Sequence, residues 1–423
     1  MKKLEVLLEE LGRLHPKYID LSLSRIKKLL AKMGNPHLKL PPCIHIAGTN
    51  GKGSTLNLIK SIMLESNYKV HAYISPHLEK INERFIISNK MISNDKLFKA
   101  LKYVKKINNN KSITFYEITT ATAFYLFNNN NADFLLLETG LGGRLDATNV
   151  LDQSLLSIIT PIGLDHEEYL GKSIYKILNE KLGIIKKNSV IISSKQNQII
   201  QKKICIYARK NKNKIISYES DWTINRISKK YFYINKNNKS IRYKIPSLLG
   251  EHQIYNASTA IATINYLIEK GYKFQKTSIN KGLVNVKWPC RLEVIKNKKP
   301  IIIIDGAHNK DGAIMLRKFI LKSNYKTWII LGMINTKNII LYLKQLKNCV
   351  KGISAITIPE EKNSFTNYEI KKHCDALNMF CLVENNPKEA IKRIIKNYNM
   401  DQIIITGSLY LAGKIKKDIK LLN

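Results

Sequence analysis

A strand that runs into a glycine-rich loop and then into a helix is the feature that most constrains this chain. The apolar segment 43–47 (CIHIA) leads into the loop 48–54 (GTNGKGS), and apolar positions at helical spacing follow over 55–66. Glycines let backbone N–H groups approach phosphate oxygens, Lys52 adds a positive charge, and the helix points its positive end at the same place. The order predicts a nucleotide-phosphate site, although Ile46 stands where commoner phosphate loops have Gly; the alternative is a glycine turn with a surface lysine.

Strands and helices alternate along the first part of the chain. Further strands are predicted at 69–75, 133–138 and 155–160, with helices between them, notably 112–128. This alternation is typical of an α/β fold with a mainly parallel sheet. Residues 222–243 alternate as strands do around the turn cluster NKNNK, which predicts a small antiparallel addition.

A second alternating run begins after Trp288. Its predicted strands are 300–304, 327–331, 353–358, 379–383 and 402–406. Five strands with helices between them predict a smaller Rossmann-like α/β domain. A chain of 423 residues is too long for one typical domain. We therefore predict an N-terminal P-loop ATPase-like domain over 1–287, a linker over 288–298 and the C-terminal domain over 299–423.

The chain is strongly basic, with a formal net charge of +38. Such a charge attracts nucleic acid, but the lysines are spread along the whole length beside Asn and Ile, as A+T-rich coding would produce. No basic stripe interleaved with aromatic residues stands out, so we predict a solvated surface and no nucleic-acid partner.

Membrane and disulfide signals are both absent from the sequence. No stretch reaches the roughly 18 apolar residues of a spanning helix, and the N-terminus has no apolar signal block. Six cysteines are scattered without a CxxC pair, which argues against a disulfide framework or a structural zinc site. We expect a cytoplasmic protein with no membrane partner.

Polar residues follow other predicted strands. Glu138 ends the apolar segment FLLLE, His166 follows another strand, and Asp305 and His308 follow a run of four isoleucines. Ligands gather at the carboxyl ends of strands in open α/β sheets, where a carboxylate suits Mg²⁺. A capping role for Glu138 is an equal alternative, a lone His is more often structural, and the composition around Lys181 indicates only a surface lysine.

Taken together, these residues resemble the folylpolyglutamate synthase/dihydrofolate synthase family, close kin of the Mur ligases. The matching segments, in the family's order over nearly the whole chain, are IDLSLSRI (19–26), HIAGTNGKGS (45–54), SPHL (75–78), TFYEITTATAF (114–124), ETGLGGRLDATN (138–149), GLDHEEYLG (163–171), EKLGI (180–184), GEHQIYNAS (250–258), WPCRLE (288–293), IDGAHNKDGA (304–313) and TGSLY (406–410).

The resemblance implies an ATP- and Mg²⁺-dependent ligase with a defined set of site residues. The implied ATP contacts are Asn50, Gly51, Lys52, Gly53, Ser54, Asn256, Arg291, Asp305 and His308. The implied metal ligands are Ser75, Glu138, His166 and Lys181, and the residues that count as catalytic are Lys52, Lys181 and His166. The implied pterin-binding residues are Asp20, Thr114, Phe115, Tyr116, Glu117, Leu145, Asp146 and Ala147.

Lys181 matches the family's carbamylated lysine. An ammonium group beside Mg²⁺ would be repelled, whereas its CO₂ adduct is an anionic oxygen ligand of the kind that a hard cation prefers. The cofactors implied are therefore ATP, Mg²⁺ and the CO₂ adduct of this lysine.

The reaction that the resemblance implies begins with transfer of the γ-phosphoryl group of ATP to a substrate carboxylate. The α-amine of L-glutamate attacks the acyl phosphate, and an amide, ADP and phosphate result. The implied acceptors are dihydropteroate, which becomes dihydrofolate, and tetrahydrofolate, which is extended with glutamate. GGRLDATN and IDLSLSR look like the bifunctional bacterial members, and the family's usual form is a monomer.

Three alternatives remain beside the bifunctional enzyme. One is a monofunctional folylpolyglutamate synthase. Another is a Mur-type ligase, but such enzymes carry a sizeable domain before the loop, and here only 47 residues precede Gly48. The third is a nonenzymatic nucleic-acid binder with a relic fold, which we would expect to have lost Lys52, Glu138, His166 and Asp305.

The chain departs from the family pattern at three places. Cys290 stands where the family has Gly before its arginine, and Leu182 replaces the small residue of EKAGI. The segment 331–338 (LGMINTKN) lacks the family's acidic residues at positions 336 and 338. We expect Cys290 to be tolerated unless a positive φ is needed there.

Overall fold

The computed structural model describes residues 2–17 and 19–419, and the chain forms two compact units. The first unit comprises Met1–Ile162, Ile174–Ile245 and Tyr255–Val286, and the second comprises Gly163–Ser173, Pro246–Ile254 and Lys287–Asn423. Two short segments from the first 254 residues thus group with the C-terminal part, which local sequence patterns did not indicate.

A mainly parallel sheet forms the centre of the first unit. Its strands are β1 (Cys43–Ala47), β2 (Val70–Tyr73), β3 (Phe85–Ile87), β4 (Lys90–Met91), β5 (Phe134–Glu138), β6 (Leu156–Ile159), β7 (Val190–Ser193) and β8 (Lys214–Ser217). They lie in the order β4-β3-β2-β5-β1-β6-β7-β8, and only the pairs that involve β3 and β4 are antiparallel. The predicted α/β class with a mainly parallel sheet is confirmed.

Helices cover this sheet, and its central strands are buried throughout. The helices up to Asn285 are α1 (Lys2–Gly12), α2 (Ser24–Lys32), α3 (Lys52–Glu65), α4 (Asn94–Asn108), α5 (Phe115–Asn128), α6 (Glu167–Leu170), α7 (Ile174–Leu182), α8 (Gln198–Lys210), α9 (Glu251–Glu269) and α10 (Lys276–Asn285). All residues of β1 and β5 are buried, as expected for parallel strands covered on both faces. A core that includes Leu11, Ile26, Tyr73 and Phe124 packs helices against the sheet.

The predicted antiparallel addition is present in the first unit. It consists of β9 (Thr223–Ile227), β10 (Tyr231–Lys236) and β11 (Lys239–Lys244), in the order β11-β10-β9. Asn237 and Asn238 join β10 to β11 with φ angles of 49° and 58°. Asn adopts such left-handed angles at low cost, so the cluster NKNNK forms a two-residue hairpin turn.

The second unit contains a six-stranded sheet. Its strands are β12 (Glu293–Lys296), β13 (Ile301–Ile304), β14 (Thr327–Leu331), β15 (Gly352–Ala355), β16 (Cys381–Val383) and β17 (Gln402–Thr406), in the order β12-β13-β17-β14-β15-β16. The remaining helices are α11 (Lys310–Ser323), α12 (Ile339–Leu346), α13 (Asn367–Asp375), α14 (Pro387–Asn397) and α15 (Leu409–Ile419). The five predicted strands are all present and parallel, and β12 adds an antiparallel edge.

Membrane insertion finds no support in these elements. Within residues 2–17 and 19–419, none of the helices combines the length and apolarity that crossing a bilayer requires.

Candidate active site

The carboxyl ends of adjacent parallel strands bring several predicted site residues to one edge of the first sheet. β1 lies between β5 and β6, and β2 lies on the other side of β5. The phosphate loop follows β1, Glu138 ends β5, and Ser75 comes two residues after β2. The fold therefore places these three features side by side, as the sequence analysis predicted.

Glycine is required at two positions of the phosphate loop because of close approach. A Cβ on Gly48 would lie 1.8 Å from Oγ1 of Thr160, which follows β6. Gly51 precedes α3 with a φ of 85°, and a Cβ there would lie 2.7 Å from Oδ1 of Asn256. The loop is thus packed between the end of β6 and α9. The N-cap residue of α3, Gly51, has no side chain with which to cap the first turn, and the amide groups at a helix N-terminus can face an anion.

Two lysines converge on one carbonyl oxygen of this loop. Nζ of Lys52 lies 3.1 Å from the carbonyl oxygen of Gly48, and Nζ of Lys181 lies 2.9 Å from the same atom. Lys181 is only 5 % exposed. Two ammonium groups on one oxygen repel each other, so this arrangement favours either a bound anion or the loss of one positive charge.

The position of Lys181 depends on contacts between the segments ETGLGGRLDATN (138–149) and EKLGI (180–184). The backbone N–H of Arg144 donates to the carbonyl oxygen of Glu180 at 2.6 Å, and the two side chains form an ion pair at 2.8 Å. A Cβ on Gly183 would lie 2.4 Å from Cβ of Arg144, so only glycine fits. Leu182 is buried in the core, which accommodates this departure from the family pattern.

Ser75 and Glu138 form an oxygen-rich pair. The buried carboxylate of Glu138 accepts the backbone N–H of Ser75 at 3.2 Å. The hydroxyl oxygen of Ser75 is buried and has no hydrogen-bond partner among the described residues. An unpaired hydroxyl beside a carboxylate fits a hard divalent cation such as Mg²⁺. Lys181 belongs to the same unit, whereas His166, the fourth predicted ligand, belongs to the second unit.

The Arg25 side chain bonds two predicted substrate residues, Glu117 and Asp20. Its Nε donates to Glu117 at 2.9 Å, and its Nη1 donates to Asp20 at 2.8 Å. Glu117 and Thr114 form a capping box at the start of α5, in which Glu117 accepts the N–H of Thr114 at 2.8 Å. The segment before α2 and the start of α5 are therefore held together by one guanidinium group. Phe115, the first residue of α5, is half-buried.

Asp146 and Tyr116 form the second part of the predicted substrate region. Asp146 is 2 % exposed and accepts the N–H of Leu141 at 2.8 Å, and burial raises its pKa. Burial and then the charge of Asp146 raise the pKa of the Tyr116 phenol well above its usual value. A Cβ on Gly140 would lie 2.6 Å from the Tyr116 ring. Leu145 is half-buried and Ala147 is buried beside Asp146 in the chain.

In the second unit, Asp305 organises the turn that carries Arg291. Its carboxylate accepts the N–H groups of Leu292 and Ala307, each at 2.9 Å. A Cβ on Gly306 would lie 2.5 Å from Nη1 of Arg291, so the glycine makes room for the guanidinium group. The two predicted residues Arg291 and Asp305 thus lie close together.

Asp165 links the two predicted histidines of the second unit. It forms a buried ion pair with Lys337, and its Oδ2 lies 3.4 Å from Nε2 of His308 and 3.0 Å from Nδ2 of Asn309. Nζ of Lys337 lies 3.3 Å from Nε2 of His166. Burial raises the pKa of Asp165, but the hydrogen bond and charge of His308 and the charge of Lys337 outweigh it and hold that pKa well below its usual range.

Comparison with known proteins matches both units. Residues 46–264 match the Mur ligase middle domain, and residues 289–419 match the C-terminal domain of dihydrofolate synthetase. The dihydrofolate synthase/folylpolyglutamate synthase of Buchnera aphidicola subsp. Acyrthosiphon pisum is 32 % identical over 399 residues, which cover 93 % of both chains. This chain belongs to the dihydrofolate synthase/folylpolyglutamate synthase family.

Solved structures of the family agree with this membership. E. coli FolC in complex with DHPP and ADP superposes with a TM-score of 0.90 at 26 % identity, covering 99 % of this chain and 98 % of that one. The bifunctional folylpolyglutamate synthase/dihydrofolate synthase of Yersinia pestis, complexed with AMPPNP and Mn ion, superposes with a TM-score of 0.88 at 25 % identity and the same coverage.

Three charged residues that contact predicted site residues were missed by the sequence analysis. Arg25 lies inside IDLSLSRI and Asp165 inside GLDHEEYLG, so charged residues within the matched segments were the available signal. Lys337 lies between the two positions where the family's acidic residues are missing. Nothing local in the sequence indicates that Lys337 pairs with Asp165, 172 positions away.

Cys290 adopts the positive φ angle at which we expected a residue other than glycine to be poorly tolerated. Its φ is 58°, in the left-handed region where Gly is favoured and other residues are strained. Its thiol is fully buried, and burial raises its pKa to about 12. The family's glycine at this position therefore has a backbone reason.

Proposed function

We propose that this chain is an ATP-dependent ligase that adds L-glutamate to dihydropteroate, forming dihydrofolate, and to tetrahydrofolate, forming polyglutamates. ADP and phosphate are released, so the enzyme is an acid–amino-acid ligase that forms a C–N bond. The observation that carries the proposal is the phosphate loop beside the Ser75–Glu138 pair, in a chain whose Buchnera relative carries both activities in its name. We place it in the cytoplasm as a monomer.

ATP binding is assigned first to the phosphate loop. The N-terminal amides of α3 and the ammonium group of Lys52 bind phosphate oxygens, as their position around Gly48 supports. The residues assigned to this role in the first unit are Asn50, Gly51, Lys52, Gly53, Ser54 and Asn256. In the second unit, Arg291, Asp305 and His308 are assigned to ATP contacts.

Mg²⁺ is assigned to Ser75, Glu138, His166 and the carbamylated form of Lys181. The unpaired hydroxyl of Ser75 and the carboxylate of Glu138 support this assignment. When bound, the metal neutralises negative charge on the phosphoryl group that is transferred. The CO₂ adduct of Lys181 would replace one of the two positive charges at the Gly48 carbonyl with a negative one, which removes the repulsion between them.

The pterin is assigned to the region around Asp146 and Tyr116. A buried carboxylate accepts N–H donors when it is ionised, and a pterin ring carries such donors along its edge. The aromatic ring of Tyr116 provides an apolar face beside that carboxylate. Arg25 holds Asp20 and Glu117 in place, so this part of the region is organised before substrate arrives.

The reaction depends on the positioning of the acceptor, ATP and glutamate more than on proton transfer by a side chain. The acceptor carboxylate attacks the γ-phosphorus of ATP, the bond to the bridging oxygen breaks, and ADP leaves. The glutamate amine attacks the carbonyl carbon of the acyl phosphate, phosphate leaves, and the amine loses a proton to form the amide. Lys52 stabilises charge on the phosphates during the first step.

An acceptor panel tests the proposal. ADP release is measured with ATP, Mg²⁺ and L-glutamate, with dihydropteroate, tetrahydrofolate or a UDP-muramoyl acceptor added separately. We expect turnover with both pterins and none with the third acceptor. Turnover with tetrahydrofolate alone would indicate a monofunctional folylpolyglutamate synthase, and turnover with the UDP-muramoyl acceptor alone would overturn the assignment. Lys52→Ala should abolish turnover, and Lys69→Ala, at an exposed lysine after α3, should not.

A further inference from the structure

A chain of three buried side chains connects β1 to Asp146. His45 lies in β1 and is fully buried, and its Nε2 lies 2.9 Å from Oγ1 of Thr148. The same hydroxyl lies 2.6 Å from Oδ1 of Asp146, which also accepts the N–H of Thr148 at 3.0 Å. All three residues belong to the first unit. The strand that precedes the phosphate loop is thus connected, through the hydroxyl of Thr148, to the carboxylate assigned to the pterin.

The direction of each hydrogen bond follows from the protons available. Thr148 has one hydroxyl proton, and the short contact to a carboxylate, which only accepts when ionised, takes that proton. Nε2 of His45 must therefore donate to Thr148. Burial and the charge of Lys186 lower the pKa of His45 to about 3, so the ring is neutral and carries one N–H. Nδ1 is then the unprotonated nitrogen, which agrees with its having no partner among the described residues.

We propose that His45 is a positioning residue for pterin binding, which acts on Asp146 through the hydroxyl of Thr148. This inference rests on the proposed function, because the proposed function assigns Asp146 to the pterin. His45 touches neither substrate nor ATP in this role. It orients the hydroxyl of Thr148, and the oriented hydroxyl keeps Oδ1 of Asp146 ionised and fixed.

The loss of His45 has a specific consequence for Asp146. Without the donor at Nε2, the hydroxyl of Thr148 has a free oxygen lone pair and can rotate away from the carboxylate. Oδ1 would keep only the backbone N–H of Thr148, while Oδ2 still accepts the N–H of Leu141. The carboxylate then binds the pterin with less fixed geometry, whereas the amides and lysine around the phosphate loop are unchanged.

The test compares three variants of the full chain by steady-state kinetics of ADP release. His45→Leu and Thr148→Val should raise KM for dihydropteroate and for tetrahydrofolate about tenfold, the size of one lost hydrogen bond to a charged group. KM for ATP should stay within about twofold in both. His45→Gln should recover most of the loss, because its side-chain N–H₂ replaces the donor at Nε2.

His71 provides the matched control. It is also fully buried, in β2 of the same sheet, but it bonds to the backbone at Asn130 and Ser88 instead of to Asp146. His71→Leu should lower the melting temperature without raising KM for either pterin. Unchanged pterin KM in folded His45→Leu and Thr148→Val, or equal loss in His45→Gln and His45→Leu, would overturn the inference alone. Silence of the wild-type protein with both pterins would overturn the proposed function, and the inference with it.

Discussion

The ammonium group of Lys181 lies close to that of Lys52. It is almost fully buried, and it shares the carbonyl oxygen of Gly48 with Lys52. The hydrogen bond and the ion pair between Arg144 and Glu180 hold the C-terminal end of α7, which carries Lys181. These contacts limit how far the Lys181 side chain can move. The CO₂ adduct proposed for Lys181 would remove the repulsion between the two positive charges.

Lys181→Ala should lose at least a hundredfold in kcat, because the variant lacks the anionic oxygen group assigned to the metal. Acetate or a similar small carboxylate should restore part of the activity by replacing the carbamate. Independently, ¹³C NMR of the wild-type protein in ¹³C-bicarbonate should show a carbamate signal that the variant lacks. Full activity of the variant without added carboxylate would remove Lys181 from the mechanism.

Sequence alone could propose individual site residues but not the residues that contact them. Ser75 and Glu138 were found because each follows an apolar strand or lies in a matched segment, and the structure brings them into contact. Arg25, Asp165 and Lys337 were missed because their roles depend on pairing with residues far along the chain. Local patterns carry no information about such pairs.

At the scale of elements, the turn at 290–292 shows what a local departure costs. Cys290 and Leu292 both have positive φ angles, of 58° and 49°. Neither residue type is favoured there, and the turn is held by the bonds of Asp305 and Glu293 to its N–H groups. Tertiary contacts therefore maintain a backbone that the local sequence does not prefer.

Cys290→Gly should be more stable than Cys290→Ala by about 1 kcal/mol, because both remove the thiol and only alanine retains the strained Cβ. Urea unfolding monitored by circular dichroism measures the difference. Because both variants lack the thiol, its lost packing does not contribute to the difference in stability between them. Equal stability, or a more stable alanine variant, would contradict the strain that the φ angle indicates.

The segment before α12 carries Lys337, whose ion pair with Asp165 is buried on both sides. Lys337→Met should lower the free energy of unfolding by about 3 kcal/mol, because it leaves the Asp165 carboxylate buried without its lysine partner. The control is Lys371→Met, at an exposed pair with Asp375, where the loss should be below about 1 kcal/mol. If urea unfolding shows similar losses in the free energy of unfolding for both variants, the buried pair of Asp165 and Lys337 does not stabilise the fold more than an exposed pair.

In the second domain, strand prediction succeeded for the buried strands and failed at an edge. The predicted strands all exist, because mainly apolar segments such as β13, β14 and β17 favour buried strands. β12 lies in the segment predicted as a linker, and its residues are only partly buried or exposed. An edge strand of this kind has no apolar pattern of its own, and pairing with β13 decides its conformation.

At the scale of the whole molecule, the fold class was predictable and the membership of short segments was not. The segments Gly163–Ser173 and Pro246–Ile254 belong to the second unit although they lie within the first 254 residues. The sequence patterns did not assign either segment to the C-terminal domain. The net charge of +38 did not indicate a function, because the lysines are spread along the whole chain.

The most direct test of the proposed acyl-phosphate route is to follow an oxygen atom of the substrate carboxylate. Dihydropteroate labelled with ¹⁸O in its carboxylate is turned over with ATP, Mg²⁺ and L-glutamate, and the products are analysed by mass spectrometry. An acyl phosphate requires that a carboxylate oxygen leave with the phosphate, so one ¹⁸O should appear in the released phosphate together with dihydrofolate. Dihydrofolate formed with unlabelled phosphate would contradict the acyl-phosphate route, and the absence of dihydrofolate would contradict dihydropteroate as a substrate.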